Sequence, residues 1–549
     1  MGVLKFFRYI SIKYNDCLIS LRGKYIDCET ALSKGIKIDW LELDLNSIYH
    51  PVVQELFGYT KKEEKHVSLL NPRRNKNIKE EPKQITDEQI FQAICIRIYQ
   101  IVKICGPVKG IYFATDGVAG VSKQTQQRKR RFKSASANVS HSGFDSNNLS
   151  CGTAFMDRLG DYIESYIQKM KKEEWKDLSI IVSNARIVGE GEHKLLKHMR
   201  ENPQYSYCVV SPDADLIFLC MGLHNPNIYI FRENIFDDIL ANFFLVDVNS
   251  FRHSLLNFIQ IDMTDNNAIQ DFIFFTFFIG NDFLPNIPSL DISNDGIETL
   301  LKTYEKTVKD KGYLVQKDTS SDSLNINKES FGYLLKLLSQ SESDTILTNH
   351  RKYPARFPDT NLISNISYDI VDGVHHAKFN FSNYKQKYYR EKFDNVDIKD
   401  ICHEYFKGMI FVVRYYLQTI PSYDWCYPFL YAPFFSEMTN YIDSFDTSMQ
   451  FNPSTPLTPL EQLVSVLPNK SAYLLPEPLK FLSGPDSPIA DMYPIEYDTD
   501  LEGKKYDYEG VVIIPIVDVK RLRQAFNKVA GLLNSIDSER NLPGEIKIY

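Results

Sequence analysis

Four apolar runs in this chain each end in acid, and they constrain its fold more than any other feature of its 549 residues. They are Leu41–Asp44 (LELD), Ile111–Asp116 (IYFATD), Ile180–Glu192 (IIVSNARIVGEGE) and Tyr207–Asp215 (YCVVSPDAD). Tyr207 to Ser211 is short, apolar and rich in β-formers, the pattern of a buried strand, and Pro212 breaks it. Asp213 and Asp215 follow two apart, so in an extended chain both carboxylates face one side. Glu190 and Glu192 repeat the spacing beside glycines. Carboxylates at the carboxyl ends of buried parallel strands fall where open α/β sheets place their ligands. Acids gathered there repel one another unless a cation lies between them. Hard divalent cations take oxygen ligands, and Mg²⁺ is held through few carboxylates plus substrate phosphate.

Strand-like and helix-like stretches alternate over residues 41–220, the sign of a mostly parallel α/β sheet flanked by helices. Helices are expected over 87–106, 121–135, 152–172 (with Thr153 as cap), 192–200, 265–283 and 518–534. The charged stretch 60–87 and the polar stretch 138–148 read as loops. Residues 316–330 are rich in Ser, Asp, Asn and Lys and mark the best candidate boundary, and from about 400 the chain becomes dense in Tyr, Phe and Pro. Nine scattered cysteines form no CxxC pair, which indicates neither a zinc site nor a disulfide framework and suits a reduced, intracellular compartment. The apolar stretch Phe272–Gly280 is too short to span a bilayer. The net charge of −7 argues weakly against nucleic acid, but the distribution of charge matters more than its sum.

That distribution is uneven. Between Gly117 and Gly143 stand six Lys/Arg and no acid. Lys123, Gln127, Arg130 and Arg131 share one face of the expected helix, and guanidinium forks on such a face suit a phosphate. A solvated basic helix is the plain alternative, but the run begins seven residues after Asp116. Asp271 and Asp282 lie eleven apart, about three helical turns, and so are expected on one face. Asp271 reads equally as a residue favouring the helix N-terminus, and Asp282 lies in the turn GNDFLP. His193 earns no catalytic role, His50 is either core or close to the acids, and Trp425 reads as core or as a base-stacking platform. Phosphodiester hydrolysis by two metals fits these residues and needs no protein nucleophile. No GxSxG, HExxH or Walker A motif is present.

The stretches MGVLKFFRYIS, LDLNSIYH, DGVAGVSKQTQQRKRRFKSA, FDSNNLSCGTAFM, VGEGEHK, SPDADLI and GNDFLPNIP, with SYDWCYPFLYAPF, PLTPLEQLVSVLP, SPIADMYP and YEGVVIIP after them, resemble the Xrn family of 5′→3′ exoribonucleases. The resemblance runs nearly end to end. It implies a catalytic fold related to PIN-like and flap nucleases over 1–320, a linker or variable region over 321–394, and a second α+β segment over 395–549 that walls the active site. It implies metal-binding, catalytic acids at Asp44, Asp116, Glu190, Glu192, Asp213, Asp215 and Asp282. It implies a 5′-phosphate pocket at Lys123, Gln127, Arg130 and Arg131, and base stacking by His50 and Trp425. The implied cofactor is a pair of Mg²⁺ ions, with Mn²⁺ as a substitute. The implied substrate is single-stranded RNA with a 5′-monophosphate, degraded processively to mononucleotides, with decapping machinery as a partner. The opening MGVxKFFRYIS is nearer the cytoplasmic branch, so a cytoplasmic protein is expected, in a short form without that branch's further C-terminal domains. Leu4 and Gly120 stand where the family has Pro, and Tyr508 where it has Trp.

Two rivals share some of these features. A structure-specific flap-type DNA nuclease would keep the acids but lack the phosphate face. A catalytically inactive RNA-binding protein would be expected to lose some of the seven acids. A haloacid-type phosphatase needs Asp-x-Asp at the first strand, where this chain has Asn46.

Overall fold

Eight strands form one sheet in the order β1-β7-β6-β5-β2-β3-β4 followed by the short C-terminal strand Lys547–Ile548. The computed structural model describes residues 5–25, 27–58, 85–136, 143–233, 243–262, 265–318, 323–371 and 374–549. The strands are β1 (Leu18–Leu21), β2 (Trp40–Asp44), β3 (Gly110–Ala114), β4 (Ser179–Ser183), β5 (Tyr207–Val210), β6 (Ile228–Glu233) and β7 (Phe243–Asp247). The five central strands, β6-β5-β2-β3-β4, are parallel, while β7, β1 and the C-terminal strand pair antiparallel at the edges. The α/β expectation holds, and each acid-ending run supplies a strand. Most of the charged stretch 60–87, part of the polar stretch 138–148, and Leu4 lie outside the described residues.

Both sheet faces are buried, which is why these strands read as continuous apolar runs. Successive side chains alternate between two cores. Tyr112, Ala114, Tyr207 and Val209 face one core with helices α6 (Gly191–Glu201), α7 (Asp215–Met221) and α9 (Asn266–Thr276). Leu41, Leu43, Ile111, Phe113, Cys208 and Val210 face the other, with α2 (Asn46–Leu56), α3 (Asp87–Cys105) and α5 (Ala154–Lys172). Local signals set the helix ends. Thr86 and Gln89 form a capping box on α3 and Gly106 ends it in the left-handed conformation. Thr153 accepts from the Met156 N–H, as expected of the α5 cap.

The register aligns the strand ends. Asp44 pairs with Ala114, Ala114 with Ser183, and Leu43 with Val210. The connections β2→β3→β4 run to one side of β2, and the chain then crosses back to place β5 on its other side. Asp44 and the Asp213–Asp215 segment therefore flank the point where strand order reverses, the usual place for a ligand in such sheets.

Two expectations fail. The helix expected over 265–283 stops at Thr276, passes through a 3₁₀ turn at Phe277–Ile279 and ends at Gly280 with φ 91°. Asp271 and Asp282 therefore do not share a helical face. Asp271 is fully buried and accepts from the Leu314 N–H (2.7 Å), the Val315 N–H (2.8 Å) and the Tyr304 hydroxyl (2.8 Å), pinning α9 to the segment that follows. The second failure is the linker over 321–394. Leu324–Ile326 pairs with Val315–Lys317, and the helix Lys328–Lys352 buries Phe331, Leu334, Leu335 and Leu338 in the same core as the sheet. Its Glu342 accepts the Phe435 and Ser436 N–H groups at 2.7 and 2.9 Å. Polar composition marked a boundary at 316–330, but Leu324–Ile326 is buried, and the helix beyond it carries its apolar residues on one face only.

Asp271→Ala leaves two buried backbone N–H groups and a hydroxyl without an acceptor. It is expected to cost about 3–5 kcal/mol of stability by chemical denaturation. A loss below about 1 kcal/mol would mean that water or a rearranged backbone satisfies those donors.

Candidate active site

The loops that carry the acids are held together by close backbone contact. The Gly117 N–H donates to Gly189 O and the Gly189 N–H to Val118 O, both at 2.9 Å. A Cβ on Gly117 would lie 1.7 Å from Ile187 O, so only glycine allows this approach. The Gly191 N–H, at the start of α6, donates to Asp116 Oδ1 at 2.7 Å. A Cβ at Gly191 would stand 3.2 Å from Asp44 Oδ1, a tight approach that favours the one glycine between the two glutamates. Asn46 accepts the Asp116 N–H at 3.0 Å, a positioning task in place of a phosphatase nucleophile.

A cavity of about 990 Å³ opens at these strand ends. Asp44, Asp116, Glu190, Glu192, Asp213 and Asp282 line it. Asp215 is buried at the start of α7, and Glu192, Asp213 and Asp215 each offer an oxygen within 4.8 Å of the others. The electrostatics are strained. Burial, with Asp116 and Asp213 nearby, holds the Asp44 carboxyl well above its ordinary range. Burial and Asp215 do the same for Glu192, and burial lifts Asp215 to about 6. Asp44 Oδ1 and Asp215 Oδ1 are buried without a hydrogen-bond partner. An all-oxygen donor set with raised carboxyls and orphaned oxygens fits a hard divalent cation.

Lys123 sets a counter-charge directly among these acids. It projects from helix α4 (Val121–Ser136), and its Nζ lies 2.8 Å from Glu190, 2.9 Å from Asp282 and 3.8 Å from Glu192. Burial opposes ionisation of Asp282, but Lys123 prevails and brings its carboxyl to about 2. The rest of the expected face, Gln127, Arg130 and Arg131, lines the same cavity. Burial and the neighbouring Arg130 lower Arg131 to about 9, and its Nη1 has no partner. Two crowded guanidiniums, neither in an ion pair with a described acid, suit an anion. Not every cation of the run faces the cavity: Arg128 is 1% exposed, donates to Ser465 O at 2.8 Å and lies over Phe132 and Tyr493. It fastens α4 to the C-terminal part of the chain.

His50 lines the cavity too, and burial together with Arg130 and Arg131 drops its pKa to about 4, so the ring is neutral. Trp425 is not brought there. It is half-buried against Phe411 (4.4 Å between ring centres) and Phe451 (5.8 Å), which is its core reading. His193 is a half-buried ring set edge-on to Tyr415, and burial lowers it to about 3, so it is neutral.

Three positioning residues gain no role from the sequence, although Lys194 ends VGEGEHK and Gln462 lies in PLTPLEQLVSVLP. Lys194 buries its ammonium between Thr115 O (2.7 Å) and Asn184 O (3.1 Å), joining the ends of β3 and β4, and burial lowers it to about 8. Tyr415, on the helix Ile398–Leu417, donates its hydroxyl to Glu190. Gln462 accepts the Ala119 N–H at 2.8 Å. The last two bring the C-terminal half of the chain to the acidic pit across more than 200 residues of sequence.

Comparison with known proteins identifies the family. Residues 1–234 match the model of the XRN 5′-3′ exonuclease N-terminus, and residues 262–365 and 364–549 match that of the Xrn1 helical domain. Among curated proteins, "5′-3′ exoribonuclease 2 homolog" of Drosophila melanogaster is 27% identical over 100% of this chain and 73% of its own length. "5′-3′ exoribonuclease 2" of Gallus gallus is 28% identical over 99% and 72%. "5′-3′ exoribonuclease 1" of Saccharomyces cerevisiae is 26% identical over 100% of this chain but 44% of its own length. The expectation of a cytoplasmic protein is corrected by these findings. It rested on one opening segment, whereas several relatives matched over nearly the whole chain carry the name exoribonuclease 2, that of the family's nuclear branch. Nor do the matched regions divide at 320, since the first ends at 234 and the second begins at 262. With both family models matched in order along the chain and the acids gathered at the sheet's switch point, this chain belongs to the XRN family and is a metal-dependent 5′→3′ exoribonuclease.

Proposed function

We propose that the enzyme selects single-stranded RNA by its 5′-monophosphate and removes one nucleotide at a time, processively, with two Mg²⁺ ions. The observation that carries this reading is a single cavity with carboxylates on one wall and the Gln127/Arg130/Arg131 face of α4 on the other, joined by Lys123. Asp44, Asp116, Glu190, Glu192, Asp213, Asp215 and Asp282 would hold the metals. When bound, the pair supplies activation of water and stabilisation of charge on the attacking and leaving oxygens. The protein's own groups do the rest. Arg130 and Arg131 clamp the terminal phosphate, and Gln127 adds a hydrogen bond. A capped or triphosphate end brings groups for which this pocket has no further cations. Lys123 neutralises Glu190 and Asp282 until substrate phosphate competes for its ammonium. Tyr415 and Lys194 keep Glu190 and the β3–β4 ends in place. The neutral ring of His50 offers a face to the first base. Because the end pocket and the acids are fixed to the same rigid helix and sheet, their separation sets the product length.

The test is degradation of one 3′-labelled RNA carrying a 5′-monophosphate, 5′-hydroxyl or 5′-triphosphate, with Mg²⁺ and with EDTA. Loss of the monophosphate RNA alone, only with metal, and with mononucleotides as product is expected. Equal attack on all three ends would refute the end pocket and leave the acidic pit standing.

A further inference from the structure

Helix α4 has a second face, and the residues on it line a second cavity. This space, about 750 Å³, is within the range of small-ligand pockets. It meets the catalytic cavity at Gln126, Arg130 and Asp282, which line both. Its cations divide into two groups. Lys5 pairs with Glu509 (2.8 Å), and Lys392 with Asp500 (2.5 Å) and Glu502 (3.2 Å). Lys129 and Lys504 make no ion pair or hydrogen bond with any described residue, although burial pushes both ammonium groups below their ordinary range. Lys133 donates only to a carbonyl, Gly510 O at 3.1 Å. Glu509 and Asp500 also line the cavity and attract Lys504, but their ion pairs go to Lys5 and Lys392. Lys133 and Lys504 repel one another, and Lys129 lies one turn from Lys133 on α4. Three half-buried ammonium groups in no ion pair with a described residue leave an anion's place open. Aromatic surface stands beside them. Tyr508 is 57% exposed and lies parallel to Tyr506, with ring centres 5.1 Å apart and planes 9° apart. A flat heterocycle has a stacking surface there.

We propose that this second cavity binds a nucleoside 5′-monophosphate released by cleavage, its phosphate held by Lys129, Lys133 and Lys504 and its base against Tyr508. The identity of the ligand as product rests on the mononucleotide reading above. The cavity's cations and its continuity with the acids through Asp282 do not. A phosphate anchored on one face of α4 before cleavage can pass, after it, to the other face of the same helix by way of Arg130. Site and product then share one chemistry, a phosphate dianion bearing a base. A bound product would also slow the next cycle when mononucleotides accumulate.

The experiment is calorimetric titration of the full chain, without divalent metal or RNA, by AMP, adenosine and inorganic phosphate. Two AMP per chain are expected, one on the Gln127/Arg131 side and one in the second cavity. Arg131→Gln removes the first and leaves one. In that background Lys129→Gln, and separately Lys504→Gln, weakens the remaining AMP by about tenfold or more, the effect of losing a charged hydrogen bond. Neither substitution deletes a stabilising ion pair, so both variants should melt at or above the parent temperature, which separates lost binding from unfolding. Adenosine should not bind. A single AMP site in the wild-type protein, or a second site indifferent to both lysines, overturns the proposal. Inorganic phosphate binding as tightly as AMP overturns the nucleotide assignment. RNA cleavage is not read in this titration, so a failure of the mononucleotide reading would register only in the degradation assay.

Discussion

Asp213→Asn is expected to lower kcat for RNA hydrolysis by about three orders of magnitude, with RNA affinity changed only a few fold. Asp213 lines the cavity and, with Glu192 and Asp215, stands in the cluster where, among the described residues, three carboxylates can reach a common ion. Replacing one carboxylate oxygen by an amide keeps the shape and removes a negative donor, so metal affinity falls along with the charge it delivers. Single-turnover cleavage of a 5′-monophosphate RNA, beside fluorescence anisotropy of the same RNA, separates the two quantities. Glu192→Gln should give a loss of the same order, and the double variant little more, because the residues act as a unit. Cleavage by Asp213→Asn above about a tenth of the wild-type rate, at saturating Mg²⁺, would remove Asp213 from the metal set.

Arg131→Gln is expected to raise KM for 5′-monophosphate RNA by about 10- to 100-fold and to erase most of its advantage over 5′-hydroxyl RNA. The guanidinium is crowded by Arg130, has an unpartnered Nη1 and faces the cavity, so the energy of relieving that crowding is available only when an anion arrives. Arg131→Lys should rescue little, since an ammonium cannot reproduce the planar fork. Cleavage of 5′-hydroxyl RNA should be nearly unchanged, because it offers no terminal phosphate to lose. An equal loss on both RNAs would mean that Arg131 supports the acids or the helix and does not read the end.

Much of this site was legible from local pattern. Each acid-ending run supplied a strand with its acids at or beyond the carboxyl end, because a strand buried on both faces is nearly all apolar; Glu42, inside β2, is the exception and meets His198 at 2.7 Å. The α4 face followed from helical spacing alone. The Asp271–Asp282 pairing failed because spacing does not reveal where a helix stops. The left-handed Gly280 and the 3₁₀ turn before it ended α9 and sent Asp282 to the cavity while Asp271 stayed in the core. The polar stretch 316–330 reads as a boundary because its composition describes only part of what folds there: Leu324–Ile326 is buried, and the helix Lys328–Lys352 puts one side in the core.

What the sequence by itself determined is the inventory: a parallel sheet, acids at its strand ends, and a basic helix close behind one of them. These depend on residues near one another along the chain, where periodicity and turn chemistry operate. The tertiary structure alone decided that Lys123 reaches back to Glu190 and Asp282, and that Arg128 leaves the basic face to anchor Ser465. It alone brought Tyr415 and Gln462 from the far half of the chain to the pit, and packed Trp425 against Phe411. These are long-range choices made by packing. Buried charges and donors must find partners wherever the folded chain puts them, and no local pattern records which partner that is.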